Sequence, residues 1–258
     1  SDLRHRLGQL FDSLHIGKVY YQDVLQSNED RVWKSVADRV RWDDLRQFVL
    51  FGFGDAAGLE SGKEPIDSDY AKAQVKIARE LLLAREAMSA SGPVVILAQS
   101  LGCQVTSNYF WDAQQARAGR PPRVGIWQDI GWVQAQITGG RALTREEIAF
   151  LQGGSFRAFI TTGCNIPIFV AAHAKEAIVP IRPNDNFEWH NYYDKDDILG
   201  WPLADMSDEY ARVVTDHRVN AGSGIMGWLL KTWNPMSHTQ YWGDTEVLGP
   251  LEAKLRSL

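Results

Sequence analysis

The chain has only two cysteines in 258 residues, Cys103 and Cys164. Two thiols make no disulfide framework, and both sit beside small-residue turns, which predicts buried free thiols. No histidine–cysteine spacing suggests zinc. No apolar run approaches the roughly 20 residues that a membrane span needs. There is no excess of positive charge either. Net charge is −5 and the isoelectric point about 5.7, with both signs interspersed, which argues against a nucleic-acid or anionic-membrane binder. Ser1-Asp2-Leu3-Arg4 opens without the apolar core of a signal peptide, so the expectation is a cytoplasmic protein, although a trimmed start would look the same. No repeat, low-complexity segment or linker divides the sequence, and 1–258 reads as one domain. What is present is an ordinary globular balance, 45% apolar and 23% charged, with an unusual ten tryptophans.

Periodicity organises the first half. Leu3, Leu7, Leu10, Phe11 and Leu14 recur at helical spacing. Lys18–Val24 reads as a strand, 28–43 as a polar surface connection, and 42–53 as a helix. A loop over 61–69 supplies a cap at Asp67 or Ser68. Tyr70, Ala73, Ile77, Leu81, Ala84 and Met88 then trace one face of a helix. Pro93-Val94-Val95-Ile96-Leu97 is short, apolar and rich in β-branched residues, so it predicts a strand buried on both faces. A helix with Val105, Tyr109, Phe110 and Ala113 follows. Residues 120–155 read as a lid-like excursion, with a capping box at Thr144-Arg145-Glu146-Glu147. Arg157–Thr162, Phe187–Tyr193 and an edge-like Tyr210–Val219 read as further strands, and a last helix begins at Tyr241. The aromatic run Trp228, Trp233, Tyr241 and Trp242 reads as core packing. Helices alternating with buried strands predict an α/β fold with a mostly parallel sheet and helices on both faces.

The turn after the Pro93 strand carries chemistry. Ala98-Gln99-Ser100-Leu101-Gly102 is a near match to the small-x-Ser-x-small nucleophile elbow. The chain must turn sharply from strand to helix, lifting the serine hydroxyl clear of the backbone. Residues two before and two after must be small so that the helix can fold back. Ligands in open α/β sheets bind at the carboxyl ends of strands, which is where Ser100 falls. A serine hydroxyl is a weak nucleophile unless an imidazole accepts its proton and a carboxylate orients that imidazole. Asp197 follows a later strand and His238 lies in a late loop, so the order is Ser, Asp, His, as in the α/β-hydrolases. Asp194 and Asp196 compete with Asp197, and His173, His190 and His217 with His238. Gly222-Ser223-Gly224-Ile225-Met226-Gly227 spells a dinucleotide fingerprint but lies too near the carboxyl end to open a βαβ unit.

Three short motifs resemble one family. Asp197-Ile198-Leu199-Gly200-Trp201-Pro202-Leu203 resembles the D-I-V-P-x-L-P stretch that carries the acid in class 3 lipases and related bacterial serine esterases. Ser237-His238-Thr239-Gln240-Tyr241-Trp242 resembles their H-x-x-Y-W, and Thr162-Gly163-Cys164-Asn165-Ile166-Pro167 their T-x-G-S-P. The likeness is clearest over 93–245. It implies an α/β-hydrolase fold and ester hydrolysis, with Ser100 as nucleophile, His238 as base, Asp197 as acid and the Leu101 N–H as one oxyanion donor. It implies a small-molecule ester or lipid substrate and no cofactor or metal. Gln99 stands where the family usually has histidine. The second oxyanion donor comes, in relatives, from a strand and H-G loop before the first helix. This sequence begins at that helix, so either upstream residues or another segment, with Gly52-Phe53-Gly54 the candidate, must supply it. A non-catalytic hydrolase-like binding protein, or a thioesterase or amidase using the same triad, are the competing readings.

Overall fold

A computed structural model describes residues 2–21, 26–36, 62–88, 92–120, 122–220 and 241–258, with isolated positions at 24, 46, 50, 54 and 57–59. In chain order the elements are α1 (Asp2–Leu7), α2 (Gln9–Asp12), α3 (Gln26–Val36), α4 (Asp69–Ala87), β1 (Val94–Gln99), α5 (Leu101–Arg117), α6 (Ile130–Thr138), α7 (Arg145–Leu151), β2 (Phe156–Thr162), α8 (Ile166–Val170), β3 (Glu188–Asp194), α9 (Asp208–Val213), β4 (Val214–Val219) and α10 (Thr245–Ser257). The described chain is α/β, and by contact it divides into two compact units. No described helix is long and apolar enough to cross a membrane.

The first unit comprises 1–16, 91–107 and 154–258. Its sheet runs β1-β2-β3-β4, every neighbour parallel. Register aligns Gln99 with Thr162 and Thr162 with Tyr192, so β1 and β2 finish together at one rim and β3 runs two residues past them to Asp194. Side chains alternate between the faces. Ala158, Ile160, Tyr192 and Val219 point to one side, where Val247, Leu248 and Leu251 of α10 cover them. The opposite face stacks Phe159 on Trp189 at 4.9 Å between centroids, and Tyr210 of α9 extends the stack. Both faces are thus covered over the middle strands β2 and β3, as in a parallel sheet.

The second unit comprises 17–90 and 108–153. Ser68 caps α4, its Oγ accepting from Ala71 N–H. Buried Asp112 accepts from Tyr70 Oη (2.7 Å) and Gln74 Nε2 (2.9 Å), while Gln74 Oε1 accepts from Ile126 N–H (2.9 Å). Gly125, at φ 69°, leaves room for that contact: a Cβ there would overlap Gln74 and lie 2.9 Å from Asp112 Oδ2. The Thr144–Glu147 capping box opens α7 as the sequence predicts. Arg141 grips both Glu147 oxygens (2.9 and 3.1 Å). That ion pair first, and the Thr144 N–H second, lower the Glu147 pKa to about 2. A depressed carboxylate contributes stability above its unfolded pKa and loses it as pH falls through the folded value. Glu147→Gln therefore loses about 1–2 kcal/mol at pH 7, discounted because Arg141 is half-exposed. Urea midpoints should show the gap between wild type and variant closing as pH falls from about 4.5 toward 2.

Several expectations are corrected. Residues 18–21 are irregular and pair with no described strand; a β-branched, aromatic run is no strand without a partner edge. The span read as a polar connection holds α3, because Asp30, Arg31 and Lys34 suit an exposed helix as well as a loop. Residues 210–213 belong to α9, and β4 starts only at Val214. β1 is not buried on both faces: it lies at the end of the described sheet, and Leu97 is 40% exposed. Gly8, at φ 56°, splits the opening helix into α1 and α2. Most of 42–53, Gly52-Phe53, the Gly222–Gly227 fingerprint and Trp228 and Trp233 lie outside the described residues.

Candidate active site

Ser100 follows β1 directly and has φ 54°, the only non-glycine with positive φ among the described residues. For an L-residue this left-handed conformation costs about 1–2 kcal/mol. It persists because both sides are anchored. Ser100 N–H donates to Thr162 O of β2 (3.1 Å), and Ser100 O accepts from Cys103 N–H (3.0 Å), which opens α5. Ala98 is buried behind the turn, where a larger side chain would meet the core. Leu101 is the first residue of α5, and the first N–H groups of a helix have no acceptor within it.

The end of β2 closes against this turn. Gly163, at φ 52°, donates its N–H to Tyr192 O of β3. Cys103 and Cys164 are free and buried, as the sequence predicts. Burial, then the adjacent Cys164, push the Cys103 thiol well above its ordinary pKa, so it stays a neutral packing group. Thr162 Oγ1 and Asn165 Oδ1 are buried on this strand end with no hydrogen-bond partner. Such groups cost about 1–3 kcal/mol each and recur where a site has been kept for something other than stability.

Asp197 sits in the turn after β3, only 5% exposed. Its Oδ1 accepts from Leu199 N–H (3.0 Å) and its Oδ2 from Tyr241 Oη (2.8 Å). Asp194, also buried, spends Oδ1 on the Asp196 N–H (2.9 Å), bracing the turn that presents Asp197. The rest of the loop is fastened to the sheet. Asp216 of β4 accepts from Leu203 and Ala204 N–H and from Asn191 Nδ2, and Asn191 Nδ2 also donates to Trp201 O. Behind them Trp189 Nε1 donates to Thr161 Oγ1, which donates to Asn191 Oδ1.

His238 lies outside the described residues. The segment just after it is described, and it touches both other site residues' loops. Tyr241 holds Asp197, and Trp242 Nε1 donates to Gln99 Oε1 (2.7 Å), next to Ser100. Two of the rival histidines partner each other in mid-strand: His190 Nδ1 and His217 Nε2 lie 3.0 Å apart, with Glu188 on the other side of His190. Burial and His190 lower the His217 pKa. Tyr241 is indeed packed in the core, but its hydroxyl role was not anticipated, nor were those of Gln99, Asn191 and Asp216. Only the H-x-x-Y-W motif carried a hint. No metal-ligating cluster of three His, Cys, Asp or Glu occurs among the described residues. Searches against family models, curated proteins and solved structures return no match to the chain.

Proposed function

We propose that the chain is a serine hydrolase of the α/β-hydrolase type, resembling class 3 lipases and bacterial serine esterases, that cleaves carboxylic esters through an acyl-enzyme on Ser100. One observation carries this reading: Ser100 alone among the described non-glycine residues sits at positive φ, between a parallel strand and a helix. Strain of this kind, held by anchors on both sides, marks a residue whose side chain is being aimed. Asp197 supports the reading as a buried carboxylate at the same rim. His238 is tethered to it by sequence. It lies three positions before Tyr241, a reach of about 11 Å at most, and Tyr241 itself is bonded to Asp197.

In this mechanism Ser100 Oγ attacks the acyl carbon while His238 takes its proton. The Leu101 N–H stabilises the oxyanion. Collapse of the tetrahedral adduct expels the alkoxide, protonated by His238, and leaves the acyl group on Ser100. Water then repeats the sequence with His238 as base, releasing the acid. Asp197 fixes the imidazole tautomer and stabilises the imidazolium throughout.

Pre-steady-state hydrolysis of p-nitrophenyl esters from acetyl to lauroyl tests this. The expected result is a burst of one nitrophenol per chain followed by slower turnover, and faster rates on esters than on matched thioesters or amides. No burst and no turnover across the series would contradict it and leave a binding protein as the reading.

A further inference from the structure

Resting on that reading, we propose that Tyr241 is a positioning residue for the acid: its phenol donates to one oxygen of Asp197 and sets the carboxylate's orientation and charge from the C-terminal segment. The direction of the bond follows from the neighbours. The Asp194 N–H donates to Tyr241 Oη at 3.0 Å, so a lone pair faces Asp194 and the hydroxyl proton must point elsewhere. Asp197 Oδ2, an acceptor at 2.8 Å, receives it. Burial, then the charge of Asp197, raise the phenol's pKa above its ordinary value, so it remains a donor wherever the triad works.

The anchor is rigid. Tyr241 is fully buried in the core cluster that includes Ile160, Tyr192, Val247, Leu248 and Leu251. Gly200 completes the arrangement: a Cβ there would lie 2.7 Å from Asp197 Oδ2 and 2.9 Å from Tyr241 Oη, so only glycine leaves the pair undisturbed. Leu199 N–H takes Oδ1, so the two carboxylate oxygens are held by donors from different segments, and each has two lone pairs with which to accept. Among the described residues of its own loop, the ionisable groups beside Asp197 are Asp194, Lys195 and Asp196, and Asp194 Oδ1 is engaged by Asp196 N–H.

A donor on a carboxylate stabilises its charged form. Removing it makes Asp197 easier to protonate and leaves more charge acting on the imidazolium. Both effects move the acid limb of the kcat/KM profile to higher pH. Tyr241→Phe in the full chain should lower kcat about tenfold on a p-nitrophenyl ester, leave KM unchanged and shift that limb up by about half a unit to one unit. Gly200→Ala keeps the phenol and wedges the pair apart, so it should shift the limb the same way; if Tyr241→Phe fails to fold, Gly200→Ala alone decides. A limb unmoved in both variants, or lost activity with an unchanged profile, overturns the positioning role while Ser100 chemistry stands. A wild type that shows no Ser100-dependent turnover overturns the underlying reading, and this inference with it.

Discussion

Ser100→Gly is expected to abolish ester hydrolysis while making the protein more stable. Both halves follow from φ 54° at this position. Glycine adopts that conformation freely, so the substitution relieves about 1–2 kcal/mol of backbone strain, offset by about 0.5–1 kcal/mol of extra unfolded-chain entropy. Ser100→Ala removes the same hydroxyl but keeps the strain. Activity should fall at least ~10⁴-fold in both, because removing a nucleophile disables the whole triad. Stability should separate them: the glycine variant should melt about 2–4 °C above the alanine variant for a chain of this size. An ordinary helix-capping serine would give another pattern, with both variants destabilised and activity retained.

Asp197→Asn is expected to cost about 10⁴-fold in kcat, because an amide in place of the carboxylate selects the wrong imidazole tautomer and leaves the imidazolium unpaired. Asparagine matches aspartate in size, and the Leu199 N–H and Tyr241 Oη that hold the side chain can each bond to an amide, so the fold should survive. Asp196→Asn should change kcat less than about threefold, since only its backbone N–H braces the turn. The control separates Asp197 from one of the two carboxylates, Asp194 and Asp196, that sequence alone left in competition with it. Steady-state kinetics with circular dichroism on all three proteins checks it; full activity in Asp197→Asn would remove Asp197 from the mechanism.

Where a signal is local, the sequence was readable. A cap at Asp67 or Ser68, which Ser68 supplies, the Thr144–Glu147 capping box, the α4 stripe from Tyr70 to Leu81, the strand ends at Gln99 and Thr162 and, to within one residue, the end of β3 expected at Tyr193 all follow from spacing within a few residues. Ser207 offered the same kind of signal, its Oγ capping α9 through Tyr210 N–H, and reading it would have separated α9 from β4. Edge position is not local. Val94–Leu97 has the composition of a central strand, yet its exposure depends on what lies alongside it. The candidate site shows the same division. Ser100 and Asp197 announce themselves by turn and motif. The contacts that hold them join residues far apart: Tyr241 and Asp197 are separated by 44 positions, Trp242 and Gln99 by 143. No periodicity reports such pairs, and the aromatic composition that reads as core conceals two hydrogen-bond donors.

The most direct measurement is covalent labelling of the intact chain with a fluorophosphonate, followed by peptide mapping. The account predicts one adduct per chain, on Ser100, lost in Ser100→Ala and slowed at least a hundredfold when His238 is replaced by alanine. An unlabelled protein, or an adduct on a different serine, would contradict it.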